Sequence, residues 1–142
     1  MPTIEESIAI KRPIEKVFAY DTDIKSWPKW FVIVSEAEQT SPEAFNVGTT
    51  FKITSRMMGI TSKQMGKITQ YEANKIYSKD IDTNFQVNHK YEQTREGTEL
   101  TLEFDVKLSW FFKLFSSLIV NSMRKSLKKS LSNLKNILES QP

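Results

Sequence analysis

The chain has 142 residues, 39% of them hydrophobic, a formal net charge of +3, one histidine and no cysteine; that length supports one domain, 1-142, with a real core. Without cysteine there is no disulfide framework, no thiolate zinc site and no cysteine nucleophile, and the composition suits a reducing cytoplasm. The start, Met1 to Glu6, is acidic with no apolar signal region, and the apolar cluster Trp110 to Val120 is too short for the roughly 20 residues of a bilayer span, so a soluble cytoplasmic protein is expected.

Residues 3 to 10 alternate imperfectly, with Ile4, Ser7 or Ile8, and Ile10 on one side, and read as a first strand. Pro13 opens a short helix, a position where proline is tolerated, and Ile14, Val17 and Phe18 bury one side of it. Asp21-Thr22-Asp23 breaks that helix and caps a second short one, which carries Ile24, Trp27 and Trp30 at three-residue intervals. Pro28 is expected to end or bend it.

Phe31 to Glu38 reads as the second strand, followed by a loop of turn formers through Gly48. From there the period is two: Thr49 to Met57, a turn at Gly59, Thr61 to Tyr71, Lys75 to Ile81, and Phe85 to Glu92. Beyond the Glu96-Gly97 turn, Leu100, Leu102, Phe104, Val106 and Leu108 face one way, and Thr101, Glu103, Asp105 and Lys107 the other. Five successive strands joined by tight turns mean an antiparallel meander with one buried face.

From Trp110 to Ser140 there is no proline or glycine, and Val120, Met123, Leu127, Leu131, Leu134 and Leu138 recur at intervals of three or four. That period, about 3.6, belongs to a straight helix lying on a sheet rather than to a coiled coil. Lys113, Arg124, Lys125, Lys128, Lys129 and Lys135 stand on this segment against Glu139 alone. Such a face is either solvated or in peripheral contact with an anionic membrane. No strand interleaves aromatic and basic residues as single-strand binders do, so no nucleic-acid partner is expected.

Ile10-Lys11-Arg12-Pro13-Ile14-Glu15-Lys16-Val17-Phe18 resembles the "apolar, x, x, Pro, x, x, x, Val-Phe" entry of the polyketide cyclase/dehydratase and lipid-transport superfamily, also called START-like or Bet v 1-like. Asp23 through Trp27-Pro28-Lys29-Trp30 resembles its second helix, Val47-Gly48-Thr49 the turn into its third strand, and Gly97-Thr98-Glu99-Leu100 the turn before its last. The resemblance implies an α+β helix-grip fold: a curved antiparallel sheet of about seven strands wrapped around a long C-terminal helix, with two short helices after the first strand. It also implies a cavity between sheet and helix for a hydrophobic small molecule, in which some members catalyse cyclisation or dehydration. Fold alone leaves the function open.

The concave face is expected to carry Phe51, Ile53, Ser55, Met57, Met65, Val87, His89, Tyr91, Leu100, Leu102, Phe104 and Val106, opposite Ile119, Met123 and Leu127 of the helix. Apolar walls with a few placed polar groups are how small-molecule sites are built, and a filled core is the competing reading. Trp110, Phe111, Phe112 and Phe115 crowd several faces where the chain enters the helix. They form a cavity lip lined by Phe115, a membrane-touching patch or a dimer contact; monomer and homodimer both stay open.

His89 is the one candidate for acid–base catalysis, with Tyr91 or Ser55 orienting a substrate. Against this, Glu103 and Asp105 turn outward, so no inward carboxylate is evident to set its tautomer, and no nucleophile stands beside a base. A single histidine without cysteine argues against a transition-metal site, and no cofactor is implied. The expectation is a carrier of a lipid-, sterol- or polyketide-like molecule. The alternatives are a cyclase/dehydratase-type enzyme, or a module binding a membrane or partner through the basic helix.

Overall fold

A computed structural model describes residues 3–57, 59–82, 85–106 and 117–141, with the side chains of Met57 and of residues 117–119 outside that set. Strand β1 (Thr3–Ile10) leads into α1 (Ile14–Asp21), a 3-10 turn (Ile24–Ser26) and α2 (Trp27–Trp30). Then come β2 (Val34–Gln39), β3 (Thr50–Met57), β4 (Ile60–Glu72), β5 (Ile76–Ile81), β6 (Phe85–Gln93) and β7 (Thr98–Val106), and the chain closes with α3 (Ser117–Glu139). All seven strands form one curved antiparallel sheet in the order β1-β7-β6-β5-β4-β3-β2.

The meander places β2 at one edge, and β1 adds beside β7 at the other, with Thr3 opposite Asp105 and Ile10 opposite Thr98. The segment between β1 and β2 must therefore cross from edge to edge. That crossing is α1, the 3-10 turn and α2. Pro13 precedes α1 as expected, and Asp23 caps the 3-10 turn by accepting from Lys25 N at 3.2 Å. Pro28 lies in the first turn of α2 and does not end it, because the first helical amides need no partner within the helix.

Alternation holds through β6 and β7: Phe85, Val87, His89, Tyr91, Leu100, Leu102, Phe104 and Val106 are all buried on the inner face. Two register shifts, at Val34/Glu36 and Ile68/Gln70, insert an extra residue into β2 and β4. Bulges of this kind bend the strand and help the sheet to curve. The Gly59 turn has φ +80°, a conformation that favours glycine.

Met123, Leu127, Leu131, Leu134 and Leu138 of α3 are buried and Val120 is half-buried, so the seam read from the sequence is the one that packs, along β1 and against α2. Leu108 and Trp110 to Ser116 lie outside the described residues. The far end of α3 is tied to the β1–α1 turn: Lys11 N donates to Glu139 Oε2 at 2.8 Å, Arg12 Nη2 to Glu139 O at 2.8 Å, and Lys135 Nζ to Ala9 O at 2.8 Å. Arg124 and Lys128 approach Glu6 of β1 at 3.6 and 3.8 Å. Among the described residues of α3, three of the five basic side chains are thereby engaged within the fold.

Gly66 of β4 faces inward beneath the Phe51 ring, and a Cβ there would stand 2.3 Å from Phe51 Cζ and 2.5 Å from the Asp80 carbonyl oxygen. Backbone cannot yield as a flexible side chain can. Gly66→Ala is therefore expected to lower stability by about 1–3 kcal/mol, measured as a fall in the urea midpoint at constant slope.

Candidate functional site

Ile14, Val17, Phe18 and Asp21 are the buried residues of α1, spaced as one helical face. The last of them is a carboxylate with no exposed surface. It lies under the middle of the sheet, where β5 and β6 present Tyr77 and His89 as directly opposed inward residues. The two rings stack at 4.1 Å between centroids and 21° between planes.

Three side chains converge on Asp21. The Tyr77 hydroxyl donates to Oδ1 at 2.9 Å, His89 Nδ1 lies 2.7 Å from Oδ2, and the Tyr91 hydroxyl donates to Oδ2 as well. The backbone carbonyl of Asp21 accepts from Trp27 Nε1 at 2.7 Å. Lys79, also inward on β5, is 3% exposed and places its Nζ 3.8 Å from the centroid of the Trp27 ring and 5.2 Å from that of Phe31. Aromatic faces stabilise such an ammonium by about 0.5–2 kcal/mol.

Burial works against the Asp21 carboxylate, but His89, the Tyr91 hydroxyl and the Lys79 charge outweigh it and hold the carboxyl below its usual range. Burial and then the Asp21 charge push Tyr77 and Tyr91 well above the ordinary phenol range, so both remain donors. Burial also lowers Lys79 to about 8, with Asp21 opposing, and lowers His89 to about 4 in spite of Asp21. At neutral pH the cluster therefore holds an aspartate, a mostly charged lysine and a neutral imidazole.

Because Asp21 can only accept, the neutral imidazole carries its proton on Nδ1, and Nε2 is left as a bare acceptor. Among the described residues, His89 Nε2 and Trp30 Nε1 are the buried side-chain polar atoms without a hydrogen-bond partner. The Trp30 and His89 rings meet edge-on, with centroids 6.5 Å apart.

Of the residues expected on the concave face, Phe51, Ile53, Ser55, Val87, His89, Tyr91, Leu102 and Phe104 are buried there, opposite Met123. Ser55 joins a separate pair of contacts, donating to Gln64 Oε1 and lying 3.4 Å from Ser62 Oγ. Met65 is a correction. It pairs with Lys52 on the outer face, is 60% exposed, and borders a groove of about 500 Å³ with Glu36, Glu38, Lys52, Thr54 and Lys63. The inner face of this part of β4 carries Ser62, Gln64 and Gly66 instead, so its largest apolar residue points away from the core. Met57 stands on β3 and Ile119 on α3, their side chains outside the described set, and Phe115 lies outside the described residues.

Glu103 and Asp105 do face outward, where both accept from Asn88 Nδ2, at 3.2 and 3.1 Å. The expectation that no inward carboxylate orients His89 is overturned by Asp21, supplied from α1 rather than from a strand. The strand pattern of β5 also supplies Tyr77 and Lys79. The sequence carries a signal for all three: Asp21 completes the 14, 17, 18, 21 helical stripe, and Tyr77, Lys79 and Ile81 share one face in a period of two.

A curved sheet gripping a terminal helix, with polar groups gathered beneath the crossing helices, defines a helix-grip protein. The chain matches the family model "polyketide cyclase / dehydrase and lipid transport" over residues 1–139 and belongs to that family. No functionally curated protein matches it. Among solved structures, it is similar to TTHA0849 from Thermus thermophilus at 16% identity and a TM-score of 0.79, covering 99% of this chain and 100% of that one. The di-domain ARO/CYC BexL of the BE-7585A biosynthetic pathway is similar at 11% identity and a TM-score of 0.75, over 99% of this chain and 50% of that one. Ara h 8.0201 is similar at 18% identity and a TM-score of 0.69, over 99% of both chains. At these identities the likeness is one of fold.

Two outcomes follow from the cluster. Asp21→Asn turns an amide N–H₂ toward groups that donate and leaves Lys79 without its counter-charge, so a loss of roughly 3 kcal/mol or more is expected in urea denaturation. The His89 ring takes up a proton near pH 4 when folded and near 6.5 when unfolded. Between those values the unfolded state binds the extra proton, so this contribution to stability is complete above about pH 6.5 and falls as pH drops, by at most ~1.4 kcal/mol per unit. Urea midpoints from pH 7 to 5 measure the loss, and NMR of the single imidazole should show no titration above pH 5.

Proposed function

We propose that the protein binds a hydrophobic small molecule of lipid-, sterol- or polyketide-like character between its sheet and α3, walled by residues such as Val87, Tyr91, Leu102, Phe104 and Met123. One observation carries the reading. Within an apolar interior, Asp21, Tyr77, Lys79 and His89 converge from three elements, and two further polar valences there are left open. Stability alone gives little reason for such a cluster, because well-packed apolar side chains of similar volume serve a core as well or better. Apolar walls around a few oriented polar groups match the construction of small-molecule sites.

Family membership supports the same reading, as does likeness in fold to the di-domain ARO/CYC BexL. Carriage is favoured over proton-transfer catalysis by the state of the imidazole. A general base works best with a pKa near the operating pH, and the His89 ring is held down to about 4. Nε2 is thus suited to anchoring a ligand by a hydrogen bond. A membrane-binding role through α3 has less support, since Arg124, Lys128 and Lys135 approach groups of the fold itself.

Native mass spectrometry after mild purification is expected to show a retained small molecule, and a fluorescent fatty acid is expected to bind and be displaced by lipids. Val87→Trp, which fills the inner face, should weaken the fluorescent ligand by about 10-fold or more, roughly 1.4 kcal/mol, with the far-UV circular dichroism unchanged. Absence of both retained and displaceable ligand across fatty acids, sterols and aromatic polyketides would refute carriage.

A further inference from the structure

Taking the interior as the binding site proposed above, we infer that the ligand presents a hydroxyl group to it, with the oxygen accepting from the Trp30 indole N–H and the proton donated to His89 Nε2. The two atoms are complementary and unpartnered among the described residues, on rings in edge contact. Both residues are essentially sealed, Trp30 at 1% and His89 at 0% exposure. Native interiors rarely leave such atoms unsatisfied, and those that remain call for an occupant.

The chemistry of the pair selects among ligand groups. A ketone, ether or carboxylate oxygen can accept from Trp30 but sets a lone pair against the lone pair of Nε2. An ammonium can donate to Nε2 but accepts nothing. A hydroxyl does both. It is also neutral, so it adds no charge to an interior where Asp21 and Lys79 already balance. The Nδ1 bond to Asp21 fixes the ring so that Nε2 cannot become the donor, which makes the acceptor role a built property of the site. A resident water offers the same O–H chemistry, and the experiment must separate the two sources.

The probes are 2-naphthol and 1-dodecanol, each set against its methyl ether in competition with the fluorescent fatty acid. At least one alcohol is expected to bind about 10-fold tighter than its ether, the scale of one or two buried hydrogen bonds. Trp30→Phe removes the donor together with part of the indole ring, and should cut that preference to about 3-fold or less; because the preference is a ratio, affinity that alcohol and ether both lose through packing cancels. The chain has one histidine, so its imidazole ¹⁵N resonances need no assignment. In the free protein Nδ1 should be protonated and Nε2 bare, and the preferred alcohol should shift Nε2 upfield while its ether does not.

If ethers and alcohols compete equally, the hydroxyl inference falls and ligand carriage stands. An Nε2 resonance already at its hydrogen-bonded position, unmoved by either alcohol, identifies a water as the occupant and overturns the inference in the same way. Failure of every probe, the fluorescent fatty acid included, removes both.

Discussion

The burial of the Asp21 carboxylate under the sheet constrains more of this structure than any other single interaction. An ionised carboxylate withdrawn from water costs several kcal/mol unless its lone pairs are met and its charge is compensated. Here Tyr77, His89 and Tyr91 meet the lone pairs, and Lys79, held over the Trp27 ring, supplies the compensating charge. Those partners come from β5 and β6 while Asp21 itself stands on α1, so the carboxylate is satisfied only when the crossing helices dock on the sheet in one position. The same bond dictates the tautomer of His89 and thereby decides what Nε2 can do.

That docking follows from the topology. With β1 and β2 at opposite edges of one sheet, the chain between them has to pass beneath the middle strands. Val17, Phe18, Ile24, Trp27 and Trp30 of that segment are buried. α3 then closes the other part of the inner face, with its last turn held by Lys11 and Arg12 next to the start of α1. The polar cluster thus lies where the crossing segment meets the strands, beside the aromatic group of Trp27, Trp30 and Phe31.

Legibility in the sequence tracked how local each feature was. The β7 alternation and the 3.6-residue seam of α3 state their buried faces outright, since each face is set by the period of its own element. The four local resemblances led to the fold, which the seven-stranded order confirms. Met65 departs from its expected place because an apolar residue in a strand suggests a core position, while here the inner face gives its space to Gly66 so that the Phe51 ring can lie over it. The chain neighbours of Asp21 suggest a helix breaker, whereas its position on the apolar stripe of α1 points to burial.

The family resemblance, the order of strands and helices, the apolar faces of β6, β7 and α3, and His89 as the residue of interest are all legible without the fold. Periodicity is a property of a few consecutive residues, and each such pattern can be completed without knowledge of the rest. Tertiary structure decided the chemistry of His89. An imidazole is a base, a donor or an acceptor according to the groups around it, and its partners Asp21, Tyr77 and Trp30 are 68, 12 and 59 positions away in the chain. Pairing of β5 with β6 brings Tyr77 to it, and the folding of the crossing segment beneath those strands brings Asp21 and Trp30.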